Sequence, residues 1–227
     1  MKQNLILVAL LILNSQIVFA QREMVFGAEV GGGIRRWYGE KSINNLDGIA
    51  FSYTAGLSIR YQFSKKLAVA TAVAFERKGA IFKAMFTNNF GDEIGRKLKY
   101  NLDYVTVPLN IVVVFNSKLK PFISAGPYIS YLRNSKLKVD IPYQGVLTID
   151  QDDQYKKFDY GISFGGGVII PFGEQIGLSL QLRDNLGLVE IEEPSIYGSS
   201  EIKNNTVHFL AGFIYRLSKE PSSNKKP

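Results

Sequence analysis

The stretch Ala50–Phe63, AFSYTAGLSIRYQF, alternates without interruption between two chemistries. One side is Phe51, Tyr53, Ala55, Leu57, Ile59, Tyr61 and Phe63; the other is Ser52, Thr54, Gly56, Ser58, Arg60 and Gln62. A period of two is that of a β-strand, whose successive side chains point to opposite faces. The apolar side has aromatics at both ends and aliphatics in the middle, the profile of a strand that faces lipid between two interfacial girdles. The polar side is mostly small, as the inside of a narrow closed barrel requires. This one segment points to a transmembrane β-barrel.

The rest of the mature chain repeats the pattern. Alternation predicts eight strands: Met24–Arg36, Ala50–Phe63, Leu67–Gly79, Tyr100–Phe115, Phe122–Arg133, Phe158–Phe172, Ile176–Leu186 and Asn205–Leu217. Tight turns at 64–66, 116–120 and 173–175 alternate with the long segments 37–49, 80–98, 134–156 and 187–203. Short turns on one side and long loops on the other are the asymmetry of outer-membrane barrels. The expectation is therefore an all-β, eight-stranded antiparallel up-and-down transmembrane β-barrel with short periplasmic turns and long extracellular loops. A soluble ligand barrel of lipocalin type is the rival. Its ligand-lining side should not end in aromatic girdles, nor its solvent side be rich in Gly and Ala.

Composition agrees. With 46% hydrophobic and 21% charged residues and a mean hydropathy of zero, the 227-residue chain is too polar for a bundle of membrane helices. The net charge of +7 comes with no basic cluster beside a stacking platform, so no nucleic acid is expected. Having no Cys excludes disulfides, thiolate metal sites and lipoprotein anchoring. At the N-terminus, Lys2, the apolar run Leu5–Leu13 and then Val18, Phe19 and Ala20 have the form of a secretory signal peptide. Nine apolar residues are too few for a membrane anchor. The division expected is a signal peptide at 1–20, a barrel domain at 21–217 beginning at Gln21, and a polar tail at 218–227.

Two segments carry a family resemblance. LDYVTVPLNIVVVF (Leu102–Phe115) and LQLRDNLGLVEI (Leu180–Ile191) resemble the fourth and seventh strands of the PorT-like outer-membrane β-barrel family. The resemblance implies an eight-stranded barrel in the cell outer membrane, with no general enzymatic role and no catalytic residues, some relatives assisting protein secretion. Such chains commonly end at an aromatic, whereas this one continues past Tyr215 and Leu217 to Pro227.

Catalytic and metal constellations are sparse. His208 is the single His, which forbids multi-His zinc sites; on the polar face of the last strand it reads as a hydrogen-bonded interior residue. Asp150, Asp152 and Asp153, and Glu190, Glu192 and Glu193, lack EF-hand order and read as solvated acidic loops. Gly165–Gly167 lacks P-loop spacing and reads as barrel wall. Lys65, Lys66, Lys118 and Lys120 read as a solvated periplasmic rim. Pro108 cannot donate to a ladder and predicts a bulge or local break. No catalytic residue, cofactor or metal is expected.

The inward faces carry Glu29, Arg35, Arg60, Glu76, Lys78, Asp159, Arg183 and Arg216, charges that persist inside a barrel only when paired. Folding the first strand onto the second sets Glu29 roughly opposite Leu57, to be held between Arg60 and Arg216. Glu76 and Asp159 serve the upper basic residues, and the bore is expected to be plugged. The functional expectation is a non-enzymatic barrel that meets outer-membrane lipid and acts through its long loops, or within a membrane or secretion assembly with protein partners. A lipid-modifying enzyme and a small pore are the alternatives.

Overall fold

The computed structural model describes residues 23–39, 50–87, 93–141, 145–193 and 201–217. The predicted signal peptide and polar tail lie outside them. Among the described residues there are ten strands: β1 (Glu23–Tyr38), β2 (Ala50–Gln62), β3 (Leu67–Lys78), β4 (Ile81–Thr87), β5 (Glu93–Val114), β6 (Pro121–Ile141), β7 (Gly145–Asp150), β8 (Phe158–Phe172), β9 (Ile176–Gly187) and β10 (Lys203–Leu217). Eight of them close a ring in the order β1, β2, β3, β5, β6, β8, β9, β10, with β10 pairing back onto β1. All ring pairings are antiparallel.

The eight-strand ring agrees with the sequence, but the connections need correction. The expected loop at 80–98 is β4 paired with the start of β5, and the expected loop at 134–156 holds the end of β6 paired with β7. The wall therefore rises beyond the ring as two hairpins. The reason is a continued alternation: past Arg133, Ser135, Leu137 and Val139 are buried while Lys138 and Asp140 are exposed. The first strand likewise runs on through Trp37, which is buried, so the first connection begins later than expected.

Ladder partners fix the geometry of closure. From Glu23 they lead through Gln62, Ala68, Val112, Ser124, Gly165, Arg183 and His208 back to β1 at Gly33, ten residues further along. A stagger of ten over eight strands corresponds to a strand tilt of roughly 40° and a backbone radius of about 8 Å. Side chains fill a bore that narrow. At Gly161 an added Cβ would lie 2.5 Å from the Tyr128 ring, so glycine there makes room for a tyrosine across the wall.

The outward face is apolar and unburied. Leu57 is 70% exposed, and Val30, Val73, Leu109, Ile123 and Leu182 are also exposed. Phe51, Tyr53, Phe75, Tyr131, Phe158 and Tyr160 form an aromatic band toward the hairpins, and Phe115, Phe172 and Tyr215 lie near the turns. Tyr53 stacks on Phe75, and Arg77, paired with Asp103 at 2.6 Å, lies over the Tyr53 ring. Such a surface is stable only against hydrocarbon with an interfacial belt.

At Pro108 the pairing with β3 lapses between Thr71–Leu109 and Ala74–Thr106 without changing register, the local break that a missing donor requires. The bulge lies instead at Asp103/Tyr104. Gly165–Gly167 is within β8, where a Cβ on Gly167 would stand 2.2 Å from the Leu180 carbonyl oxygen, so the run is close-packed wall.

Candidate functional site

The polar side chains of the strands meet in the half of the bore nearer the hairpins. Lys78 at the end of β3 is fully buried; its Nζ lies 2.9 Å from Asp159 Oδ2 and 3.0 Å from Ser130 Oγ, and over the Tyr128 ring at 4.3 Å. Asp159 Oδ2 also accepts from Asn204 Nδ2 at 3.2 Å. Glu76, two residues earlier on the same face of β3, accepts from Thr106, Asn185 and Thr206 and lies 3.9 Å from Lys78. Each carboxylate thus has a cation and several neutral donors, which is the condition for burying charge. Arg35 donates to Asn101 Oδ1 and to the Lys78 carbonyl. Gly79 permits that approach: it has φ 109°, and a Cβ there would stand 3.3 Å from an Arg35 nitrogen.

An apolar cap sits above these charges. Trp37 packs with Ala80, Leu102, Tyr104, Leu132 and Tyr155, its ring centroid 4.9 Å from that of Tyr100 and 5.3 Å from that of Phe82. Trp37 Nε1 donates to Asn204 Oδ1, tying the cap to the Asp159 cluster. Burial raises the Tyr100 and Tyr155 phenols above the ordinary tyrosine pKa, so both rings stay neutral.

The half nearer the turns differs. Glu29 Oε1 pairs with Arg183 Nη1 at 2.8 Å, and Arg216 lies 3.6 Å from Glu23. The expected placement of Glu29 between Arg60 and Arg216 is therefore wrong. Its ladder partners are Gly56 on one side, not Leu57, and Gly212 on the other. Arg60 and Arg216 are each four residues nearer the turns than those partners. The tilt decides among the cations: moving from β1 to β10 and β9, equal height shifts toward the hairpins by a little over one residue per strand. That shift carries Arg216 further from Glu29 and brings in Arg183, four residues beyond Ser179, the partner of Gly212. Toward β2 it recovers only about one of the four residues, leaving Arg60 near 10 Å off at about 3.4 Å per residue. Glu76 and Asp159 both serve Lys78, while Arg183 and Arg35 take the other partners just described.

One constellation was invisible in the sequence. Ser52 Oγ lies 2.7 Å from His208 Nε2, and His208 Nδ1 lies 3.6 Å from Glu76 Oε1. These three residue types are those of a hydrolytic triad, but the geometry is not that of an activated nucleophile. The Ser52 hydroxyl donates to the Arg77 carbonyl, so the 2.7 Å contact is His208 donating to Ser52, and Nδ1 makes no hydrogen bond. All three are buried in the bore. The signal available was the small polar face of β2, on which Ser52 sits, but pairing it with His208 needed the register.

Among the described residues no cluster of His, Asp and Glu has metal-binding geometry. Asp152 accepts from the Ser135 amide, and Asp150 and Glu190 lie at 3.9 and 4.0 Å from Lys136 and Lys156. The hairpins themselves are basic on their exposed face: Lys83 faces Lys97 and Lys99 faces Lys138 across the ladders. Burial, with Arg35, Lys138 and Arg77 near it, holds the Lys99 ammonium below the ordinary lysine value.

The family described as outer membrane protein beta-barrel domain matches residues 17–192, and the chain belongs to it. Its place is the outer membrane. Similar solved structures include the outer membrane protein OprG from Pseudomonas aeruginosa, at 11% identity and a TM-score of 0.46, over 88% of this chain and 98% of that one. Neisserial surface protein A is similar at 15% identity and 0.45, over 85% and 96%. Ail, the attachment invasion locus protein of Yersinia pestis, is similar at 14% identity and 0.43, over 87% and 99%. No curated protein matches the sequence.

Proposed function

We propose that this outer-membrane barrel is a non-enzymatic protein of the PorT-like kind, acting through its two hairpin extensions as part of an envelope or secretion assembly. The observation that carries this reading is the occupied bore: Lys78, Glu76 and Asp159 fill it and the Trp37 cluster covers them. A filled bore favours neither a pore nor chemistry at the buried Ser52–His208 pair. What the molecule offers to partners is the wall above the lipid. All six residues of β7 are exposed, Val146, Leu147 and Ile149 among them. β4 and β7 are the two ends of the strand order, so each leaves one edge able to accept another strand. The PorT-like kinship is supported by LDYVTVPLNIVVVF, which forms the paired core of β5, and by LQLRDNLGLVEI, which leaves the wall at the end of β9. The lipid in contact with the apolar band is the first partner this reading implies.

The test is to shorten both hairpins and compare affinity capture from outer membranes. The shortened barrel should still migrate differently on a gel when boiled, while companion proteins that co-purify with the parent are lost. Capture that survives loss of both hairpins, or turnover of lipid A by the pure parent barrel, would overturn the reading.

A further inference from the structure

Every carboxylate in the turn-end half of the bore already has a cation: Glu29 has Arg183 and Glu23 has Arg216. Arg60 is left over. It forms no ion pair among the described residues, and its Nε is shut off from solvent without a hydrogen-bond partner. Its guanidinium carbon lies over the Phe122 ring, 5.0 Å from the centroid, a cation–π contact. Arg60 is half-buried, and its charge faces open space rather than a carboxylate within ion-pair distance.

The space in front of Arg60 is a cavity of about 300 Å³ near the turns. Among the described residues, Arg60, Lys65, Lys120 and Arg216 line it against the single carboxylate of Glu23, an excess of three positive charges. A smaller hollow continues past Arg60 toward Glu29 and Arg183. Lys120 is held at the mouth by a backbone with φ 35°, the one non-glycine in the left-handed region among the described residues. Its carbonyl and that of Leu119 both accept from the Ile169 amide.

We propose that this vestibule, open toward the turns, binds a compact multivalent oxyanion, a phosphate group either free or carried by a small solute. A guanidinium can hold two phosphate oxygens at once, and Arg60, which lines the space and has no carboxylate in an ion pair with it among the described residues, is suited to that role. Arg216, Lys65 and Lys120 supply the remaining positive field. In the periplasm-facing half of an outer-membrane protein the ligand would arrive from the periplasm. The inference does not depend on the hairpins or on any assembly partner.

The experiment is a titration of the pure barrel in a maltoside detergent with inorganic phosphate, and separately with glycerol 3-phosphate, at constant ionic strength made up with chloride. Amide resonances of Val25, Arg60 and Ile214 are the readout. Saturable shifts with both ligands identify the phosphate group as the feature recognised; saturation with the ester alone identifies a phosphorylated solute. Arg60→Gln should weaken binding at least tenfold, Arg60→Lys by less, and Lys97→Gln on the outer hairpin not at all. Shifts that never saturate with either ligand, or equal affinity in the parent and Arg60→Gln, would overturn the proposal. If Arg60→Gln does not fold, the Lys120→Gln, Arg216→Gln double variant decides, and unchanged affinity there overturns it equally.

Discussion

The two halves of the bore are built from the same strands and differ in how completely they enclose charge. Toward the hairpins, Lys78, Glu76 and Asp159 are sealed under an aromatic cap, each with a countercharge and neutral groups within reach, and the buried Arg35 beside them is held by the neutral acceptors Asn101 and the Lys78 carbonyl. Toward the turns, Glu29–Arg183 at 2.8 Å and Glu23–Arg216 at 3.6 Å are pairs beside open space, with Arg60 in no ion pair among the described residues. Small residues explain part of the difference: Ala70, Ala72 and Ser58 border the lower hollow, where Tyr104 and Tyr128 fill the upper bore. The lesson is that side-chain volume, not polarity, separates the closed half from the open one.

Removing a partner from the sealed half should cost most. Asp159→Ala leaves Lys78 buried and uncompensated, so unfolding in urea from detergent or lipid should show a loss of about 3–5 kcal/mol. The Lys78→Met, Asp159→Ala double variant should recover much of it, since contacting residues are not additive. A small effect of Asp159→Ala would mean that water reaches the upper cluster and that the two halves do not differ.

The wall between the halves comes next. Leu57 pairs with Ala28, one residue from the level of Glu29, and faces outward. Leu57→Arg should destabilise by about 2–4 kcal/mol, the cost of an arginine near the bilayer midplane, while Leu57→Val changes little. Equal tolerance of the two changes, in the same equilibrium unfolding measurement, would favour a soluble barrel.

In the open half the penalty should shrink. Glu29→Ala leaves the buried Arg183 without its carboxylate but bordering the lower hollow, so the loss should be about 1–3 kcal/mol, below that of the Lys78–Asp159 pair. Adding Arg183→Gln should restore stability, whereas adding Arg60→Gln should not. Rescue by Arg60→Gln would show that Glu29 answers to Arg60 after all. The smallest effect belongs outside the bore. Arg77 is only partly covered over Tyr53, and Arg77→Gln should cost at most about 1 kcal/mol by the same measure.

The wall was largely legible in the sequence because a period of two identifies a face without any knowledge of neighbours. Phe51, Leu57 and Ile59 point outward and Ser52, Thr54 and Arg60 inward, as their alternation predicts. Partners across the bore were another matter. Lys78 meets Asp159 three strands away around the ring, and Glu29 meets Arg183 two strands away, so both depend on a ten-residue stagger that only the closed ladder reveals. Ser52 and His208 meet for the same reason. The end of β6 is harder to read, because Lys136, Lys138 and Asp140 give it the polarity of a loop, although Leu137 and Val139 keep the period. Trp37 falls in the segment 37–49 on sequence, yet it extends β1 and completes the cap.

The seal is tested most directly by planar-bilayer recording of the wild-type barrel at neutral pH. The occupied upper bore predicts no steady conductance at either polarity, however wide the vestibule below it. A stable ion current would contradict the sealed half, and with it the reading of this barrel as anything other than a small pore.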